Sequence, residues 1–197
     1  MVTPASTTAS MPPAPRAGDE RAVPHDAFRA LMGSHPSGVA VVTTADARGT
    51  PYGFTCTALC SVSLDPPQLL VCAAAGGSTL PVLAARGAFT VNLLHGSGRR
   101  AAQAFAGPAA ERFTTVPWRP GHLTGLPVLP QDSHATAECR VARTVPAGDH
   151  TIVIGEVLHT ETHVPAAEAA PLLYGMRRYA SWPVRPGRTV PSVSPAP

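Results

Sequence analysis

Runs of β-branched residues set off by turn residues dominate the middle of the chain. Gly38-Val39-Ala40-Val41-Val42-Thr43-Thr44 reads as a buried strand. Ala45 to Pro51 is a polar hairpin loop, so the next strand should run antiparallel to the first. That second strand carries the row Gly53 to Pro67, where small hydroxyl and thiol side chains replace bulky ones. Such a row either packs closely against another element or leaves room for a flat ligand. Asp65-Pro66-Pro67 must interrupt pairing, because proline cannot donate to a ladder. A third strand is predicted at Leu69 to Ala73, before Gly76-Gly77.

The spacing changes from that point. Ser78 is predicted to cap a helix over Thr79 to Arg86, closed by Gly87, with Pro81 tolerated in its first turn. Helix starts attract phosphate. Ala88 to Leu94 is another strand, and Ser97 to Ala106 another helix with Ala101, Ala102 and Phe105 on its apolar side. Near the N-terminus, Phe28, Leu31 and Met32 predict a short helix over Pro24 to Met32, capped by Gly33. Residues 108–131 are rich in proline and glycine and read as a long irregular connection, with Phe113 and Trp118 packing on the core or covering a ligand. In His134 to Val145, Ala135, Ala137, Cys139 and Val141 alternate with polar positions, as in a half-buried strand. After the turn Ala147-Gly148-Asp149, Thr151 to Leu158 should pair back antiparallel.

Strands outnumber short helices and hairpins dominate, so the chain is expected to be mainly β: a small antiparallel barrel with a few helices at its ends. No βαβ unit with a GxGxxG fingerprint occurs, which argues against a Rossmann domain. Residues 22–183 form the expected domain. Residues 1–21 and 184–197 lack apolar periodicity and are expected to be disordered tails.

Composition narrows the chemistry. The net charge is +3 over 197 residues, and all fifteen basic residues are arginine. Without lysine, Schiff-base and P-loop chemistry are excluded. The arginines are scattered, so no nucleic-acid footprint is expected. Cys56, Cys60, Cys72 and Cys139 have no CxxC spacing and read as free buried thiols of a reducing cytoplasm. No secretory signal stands out, and no apolar run approaches the ~20 residues that span a membrane. Apart from His150, the histidines lack partners at metal-ligand spacing, so no metal is expected.

Several motifs carry a resemblance. Gly38 to Thr44, Gly53-Phe54-Thr55, Ser61-Val62-Ser63-Leu64-Asp65-Pro66-Pro67, Phe89 to Leu94, Gly148-Asp149-His150 ahead of Ile154-Gly155-Glu156-Val157, and Pro171-Leu172-Leu173-Tyr174 ahead of Tyr179 resemble the short-chain flavin reductases. These are the NAD(P)H:flavin oxidoreductases that serve two-component flavin monooxygenases, and the match runs from about Phe28 to Tyr179. The resemblance implies an FMN-binding split β-barrel, a homodimer with flavin near the subunit interface, and hydride transfer from NADH or NADPH to FMN or FAD. Reduced flavin would then pass to a separate monooxygenase. The resemblance places flavin contacts on Thr55, Cys56, Thr57 and Ala58, phosphate contacts on Ser78 and Thr79, and a further cofactor contact on Tyr179. His150 is the implied catalytic residue, orienting the nicotinamide and protonating reduced flavin. Two departures stand out: Cys56-Thr57-Ala58 where many relatives carry Ala-Ser-Ser, and Arg178 where glycine is common. The rival readings are a flavin- or haem-binding carrier and a pyridoxamine-phosphate-oxidase-like oxidase on the same barrel.

Overall fold

A computed structural model describes residues 23–165 and 168–183. The expected tails, residues 1–21 and 184–197, lie outside the described residues. The chain divides into two units, residues 1–32 and 33–197. Helix α1 (His25–Ser34) begins in the first unit and runs past Gly33, so Gly33 is not its cap. Its Phe28, Leu31 and Met32 are all exposed.

In the second unit, β1 (Ser37–Gly38), β2 (Ala40–Ala45), β3 (Pro51–Cys56), β4 (Leu59–Leu64) and β5 (Pro67–Ala74) precede helix α2 (Thr79–Arg86). Strand β6 (Ala88–Leu94) leads to α3 (Arg99–Ala106) and the single turn α4 (Arg112–Thr115). Short strands β7 (Arg119–Pro120) and β8 (Pro127–Val128) follow. Then come the long hairpin of β9 (Ser133–Ala147) and β10 (His150–Thr162), and a last hairpin of β11 (Leu172–Gly175) and β12 (Arg178–Ser181).

Seven strands form one antiparallel sheet in the order β3-β2-β6-β9-β10-β5-β4. Its two edges, β3 and β4, are consecutive in the chain and joined only by Thr57 and Ala58. The sheet must therefore curl until its edges meet. The Ala58 carbonyl marks the seam, accepting from the Cys72 N–H at 3.1 Å and from the Cys56 thiol at 3.4 Å. This is a barrel split along one side. The uninterrupted strand expected over Gly53 to Pro67 is thus two strands on opposite edges, broken where the chain crosses the seam.

Every residue of β2 is buried, which is why its sequence shows no alternation. Val41 packs with Val39, Phe105, Leu129 and Leu172 on one face. Val42 packs with Val71, Leu83, Phe89 and Val153 on the other. The predicted first strand is also divided, because Ser37 and Gly38 leave the barrel to pair with β11.

Residues 108–131 are more ordered than an irregular connection. Leu126, Val128 and Leu129 are buried, the Asn92 amide oxygen accepts from the Leu129 N–H at 2.8 Å, and the Thr43 hydroxyl donates to the Pro127 carbonyl. Phe113 packs edge-on against Phe105 with centroids 4.9 Å apart, so it belongs to the core, while Trp118 stays partly exposed against it. The segment covers the face of β9 that its sequence marks as polar. Thr136 and Glu138 are consequently buried along with Cys139. The Glu138 carboxylate accepts from the N–H groups of Leu123 and Thr124 and from the Thr124 hydroxyl. Gly121 makes room for it, since a Cβ there would lie 2.7 Å from a carboxylate oxygen.

Candidate active site

The strand β3, the end of β5, the start of α2 and the first residue of β10 converge on one groove of about 380 Å³. Register explains the convergence. His150 pairs with Ala74 at the end of the β5–β10 ladder, and the Asp149 carbonyl accepts from the Ala75 N–H at 2.9 Å. The chain then turns at Gly76-Gly77 into α2, with the Gly77 N–H bonded to the Ala74 carbonyl at 3.0 Å. Thr79 ties the helix start to β3, its buried hydroxyl donating to the Gly53 carbonyl at 3.3 Å. Gly53 is required by close approach, because a Cβ there would meet the Phe105 ring at 2.8 Å.

Four of the predicted site residues line this groove: Thr55, Ser78, Thr79 and His150. Thr55 spends its hydroxyl on the Ala102 carbonyl at 2.6 Å. Ser78 stands at the N-cap position of α2 but makes no side-chain cap bond and is exposed. The predicted capping role is therefore absent, and the hydroxyl is open to the groove at a helix start, where backbone N–H groups and the helix dipole favour an anion. His150 Nδ1–H donates to the Asp149 carboxylate at 2.8 Å, which fixes the ring's orientation.

The other predicted residues fall elsewhere. Cys56 is buried among Val71, Leu83 and Phe89, and burial pushes its thiol up to about 11. It stays protonated at neutral pH and is no nucleophile. Thr57 and Ala58 are exposed at the seam and do not line the groove. Tyr179 lies in a second depression. Cys60 is exposed, contrary to the expectation of buried thiols throughout. Among the described residues no three His, Cys, Asp or Glu side chains gather as a metal site would need. No helix among them is long and apolar enough to cross a membrane.

Arg112 was not singled out by sequence. It lines the groove from α4, donating to the carbonyls of Gly53 and Gly107. Burial pulls its pKa down from the usual value, yet a guanidinium remains charged near neutrality. It supplies a fixed positive charge in a groove whose other lining is small residues, Phe54, Leu80, Phe105 and His150. Nothing local distinguishes it from the other scattered arginines, and only its neighbour Phe113 hints that this stretch packs inward.

The chemistry of the groove suits a flat, phosphorylated ligand. Residues 32–183 match the family described as flavin reductase like domain. The flavin reductase (NADH) of Kitasatospora aureofaciens is 49% identical over 161 residues, covering 81% of this chain and 82% of that protein. The flavin reductase (NADPH) of Lentzea aerocolonigenes is 49% identical over 154 residues, covering 78% of this chain and 88% of that one. Among solved structures, the Streptomyces globisporus C-1027 NADH:FAD oxidoreductase SgcE6, in complex with NAD and FAD fragments, superposes with a TM-score of 0.72 at 31% identity over 86% of this chain and 94% of its own. The convergence of Thr55, Ser78, Thr79 and His150 on one groove thus sits in a barrel with close relatives on both counts, and the chain belongs to the flavin reductase like domain family.

Proposed function

We propose that the chain is an NAD(P)H-dependent flavin reductase whose flavin lies in the groove between β3, β5 and the start of α2. The observation that carries this reading is the groove itself, which brings together residues from six separate elements, β3, β5, α2, α3, α4 and β10. When bound, the reduced nicotinamide would supply a hydride from C4 to N5 of FMN or FAD. The chain's own part is to hold and align. Thr55, Ala73 and Ala74 leave flat space, Ser78 and Thr79 receive the phosphate at the helix start, and Arg112 adds a positive charge. Cys56, Thr57 and Ala58 lie outside the lining of the groove and have no part in this reading. His150, set by Asp149 at the groove wall, orients the nicotinamide and protonates reduced flavin.

The direct test is oxidation of NADH and NADPH by the purified protein with and without added FMN, FAD or riboflavin. Turnover should rise with added flavin. Turnover that ignores added flavin, in protein that keeps its cofactor through gel filtration, would overturn the reading. His150→Ala should slow reduction of bound flavin about tenfold while flavin affinity holds, as expected for lost positioning and acid–base help. An unchanged reduction rate in stopped flow would make the residue structural.

Two finer points belong to the same proposal. Reduced flavin leaves for a separate oxygenase, since the described residues form one barrel with no second catalytic constellation, and the work is done in a reducing cytoplasm that keeps four free thiols. The protein is a homodimer. The β4 edge supports this: the strand is paired on one side only, with β5, and exposes Val62 by 44% and Leu64 by 95%, a surface that a second copy would cover. Light scattering at micromolar concentration should give twice the chain mass, and a monomer with full activity would refute the dimer.

A further inference from the structure

Five of the chain's eight histidines, far apart in sequence, meet in one band at the end of β10 opposite to His150. His122, between β7 and β8, lies against His159 of β10 with ring centroids 5.3 Å apart. Farther along β10, Glu161 ion-pairs with Arg119 of β7 and stands 3.6 Å from His163 Nδ1. His163 Nε2 is 3.3 Å from the Thr136 hydroxyl, and its backbone N–H donates to the His134 carbonyl at 2.9 Å. His134 Nδ1–H donates to the Leu94 carbonyl at 3.3 Å, which brings in His95. The band therefore joins the segment 119–124 to both strands of the long hairpin.

The fixed charges around the band are few. Glu138 of β9 and Glu161 of β10 face it, and both are already engaged, Glu138 by Leu123 and Thr124 and Glu161 by Arg119. Those hydrogen bonds hold both carboxyls below the ordinary carboxylate value. Arg86 of α2 reaches the Thr124 carbonyl at 3.5 Å. At the His95 end, the Asp132 carbonyl accepts from the His95 N–H at 2.8 Å, and Arg100 acts on the Asp132 carboxyl. Arg140 and Glu156, farther up the hairpin, pair with each other. On mild acidification the charge changes here on imidazoles. A first proton is met by Glu161, but a second and a third face Arg119 and one another. Burial holds His134 and His163 below the ordinary histidine value, and His95 adds to this for the one, Arg119 and His134 for the other. An opened state therefore takes up protons at higher pH than the closed one, so closure is complete above the ordinary value and is lost as pH falls below it.

We propose that the histidine band is an acid-released latch on residues 118–124, and that its opening lowers flavin affinity through Arg112. The latch is continuous with the groove. Trp118, next to Arg119, packs edge-on against Phe113 with centroids 6.0 Å apart, and Phe113 packs against Phe105 at 4.9 Å. Phe105 and Arg112 both line the groove. When like charges push His122 from His159 and Arg119 from the hairpin, Trp118 loses its seat on Phe113. The single turn α4 is then held by its carbonyl bonds to Gly53 and Gly107 and by little else. The positive charge at the groove is no longer fixed in place. The proposal rests on the reading of the groove as the flavin site.

The test uses the full chain carrying Trp182→Phe, which leaves Trp118 as its one tryptophan. Between about pH 8 and about pH 5.5, the range in which histidines gain charge, Trp118 emission should shift to the red while far-UV circular dichroism holds. Adding His159→Gln and His163→Gln should remove the shift. Over the same range FMN affinity should fall about tenfold more in the parent than in that variant, the equivalent of about one pKa unit of linked protonation. The FMN phosphate itself titrates at about pH 6, but it does so alike against both proteins and drops out of the comparison. His122→Gln, at an exposed position, is the second variant and keeps the test readable where the first folds poorly. It relieves the ring pair and should move the midpoint of the Trp118 shift to lower pH. The proposal is overturned if Trp118 emission is flat across the range, if the shift is the same in parent and variants, or if FMN affinity falls equally in all of them. FMN binding at the alkaline end, with the latch closed, separates this failure from that of the groove. Absent binding there refutes the groove, whereas the Trp118 shift is read without flavin.

Discussion

Replacing Ser78 with aspartate is expected to weaken FMN binding about 100-fold and to leave riboflavin binding within about twofold. Ser78 stands at the start of α2, exposed, with no capping bond of its own to lose. Aspartate is among the best N-cap residues, so the fold should tolerate the change and even gain from it. What it adds is a carboxylate where the FMN phosphate is proposed to sit. Two unit charges about 4 Å apart at an effective dielectric of about 20 repel by about 4 kcal/mol, and solvent in this open groove reduces that. About 2.7 kcal/mol of net loss corresponds to the 100-fold effect. Riboflavin lacks the phosphate and reports on ring binding alone. Flavin fluorescence titration reads both ligands, and equal FMN affinity in variant and parent would move the phosphate away from α2.

Glu138→Ala carries the second large effect, on stability. The parent carboxylate is 2% exposed and receives two backbone N–H groups and one hydroxyl from the β7–β8 segment. Without it those donors are left in a buried site, at about 1 kcal/mol each, and the loss should be about 3 kcal/mol. For a domain of this size that is a fall of about 6–12 °C in melting temperature by calorimetry. Acid adds a second signature. Burial by itself raises the Glu138 pKa, but the hydrogen bonds from Thr124, Leu123 and His122 outweigh it and hold the carboxyl below its ordinary value of 4.5. The unfolded chain therefore takes up the proton at higher pH than the folded one. The resulting stability is complete above the ordinary value and is lost as pH falls through the folded one. The variant should lack that part of the acid slope. A melting temperature within about 2 °C of the parent at pH 7 would show that the loop is held by its apolar contacts alone.

How far these features could be read from sequence depended on how local their causes are. Helix α2 was legible to the residue, because Ser78, the Pro81 position and Gly87 are signals within a single turn. The β9–β10 hairpin was legible through its turn, though not its full length. The break at Thr57 and Ala58 was not, since nothing in a row of small residues marks where a strand leaves one edge of a sheet and joins the other. Glu138 looked like a solvent-facing position for a similar reason. Its burial is decided by residues 121–124, and alternation along β9 reports nothing of what packs above it. The site divided in the same way. Ser78, Thr79 and His150 sit at ends of elements, where pattern and resemblance agree. The resemblance treated Thr55 to Ala58 as a unit, whereas strand geometry turns Cys56 into the core and leaves only Thr55 at the groove. Arg112 and the histidine band needed three dimensions, because each draws on residues distant in the chain.

The β5–β10 ladder bears on how the molecule acquires its shape. Most other pairings join strands close in sequence, as in the β2–β3, β4–β5 and β9–β10 hairpins, and these can form early. Joining β5 to β10 closes the longest loop of the barrel and carries the largest entropic cost. The groove straddles that ladder, with Ser78 reached from β5 and His150 at the head of β10. The proposed flavin site is therefore incomplete until that pairing is made. Flavin bound there cannot template the early hairpins, and its effect on kinetics should fall on unfolding, slowing the reopening of the β5–β10 ladder while leaving the folding rate unchanged.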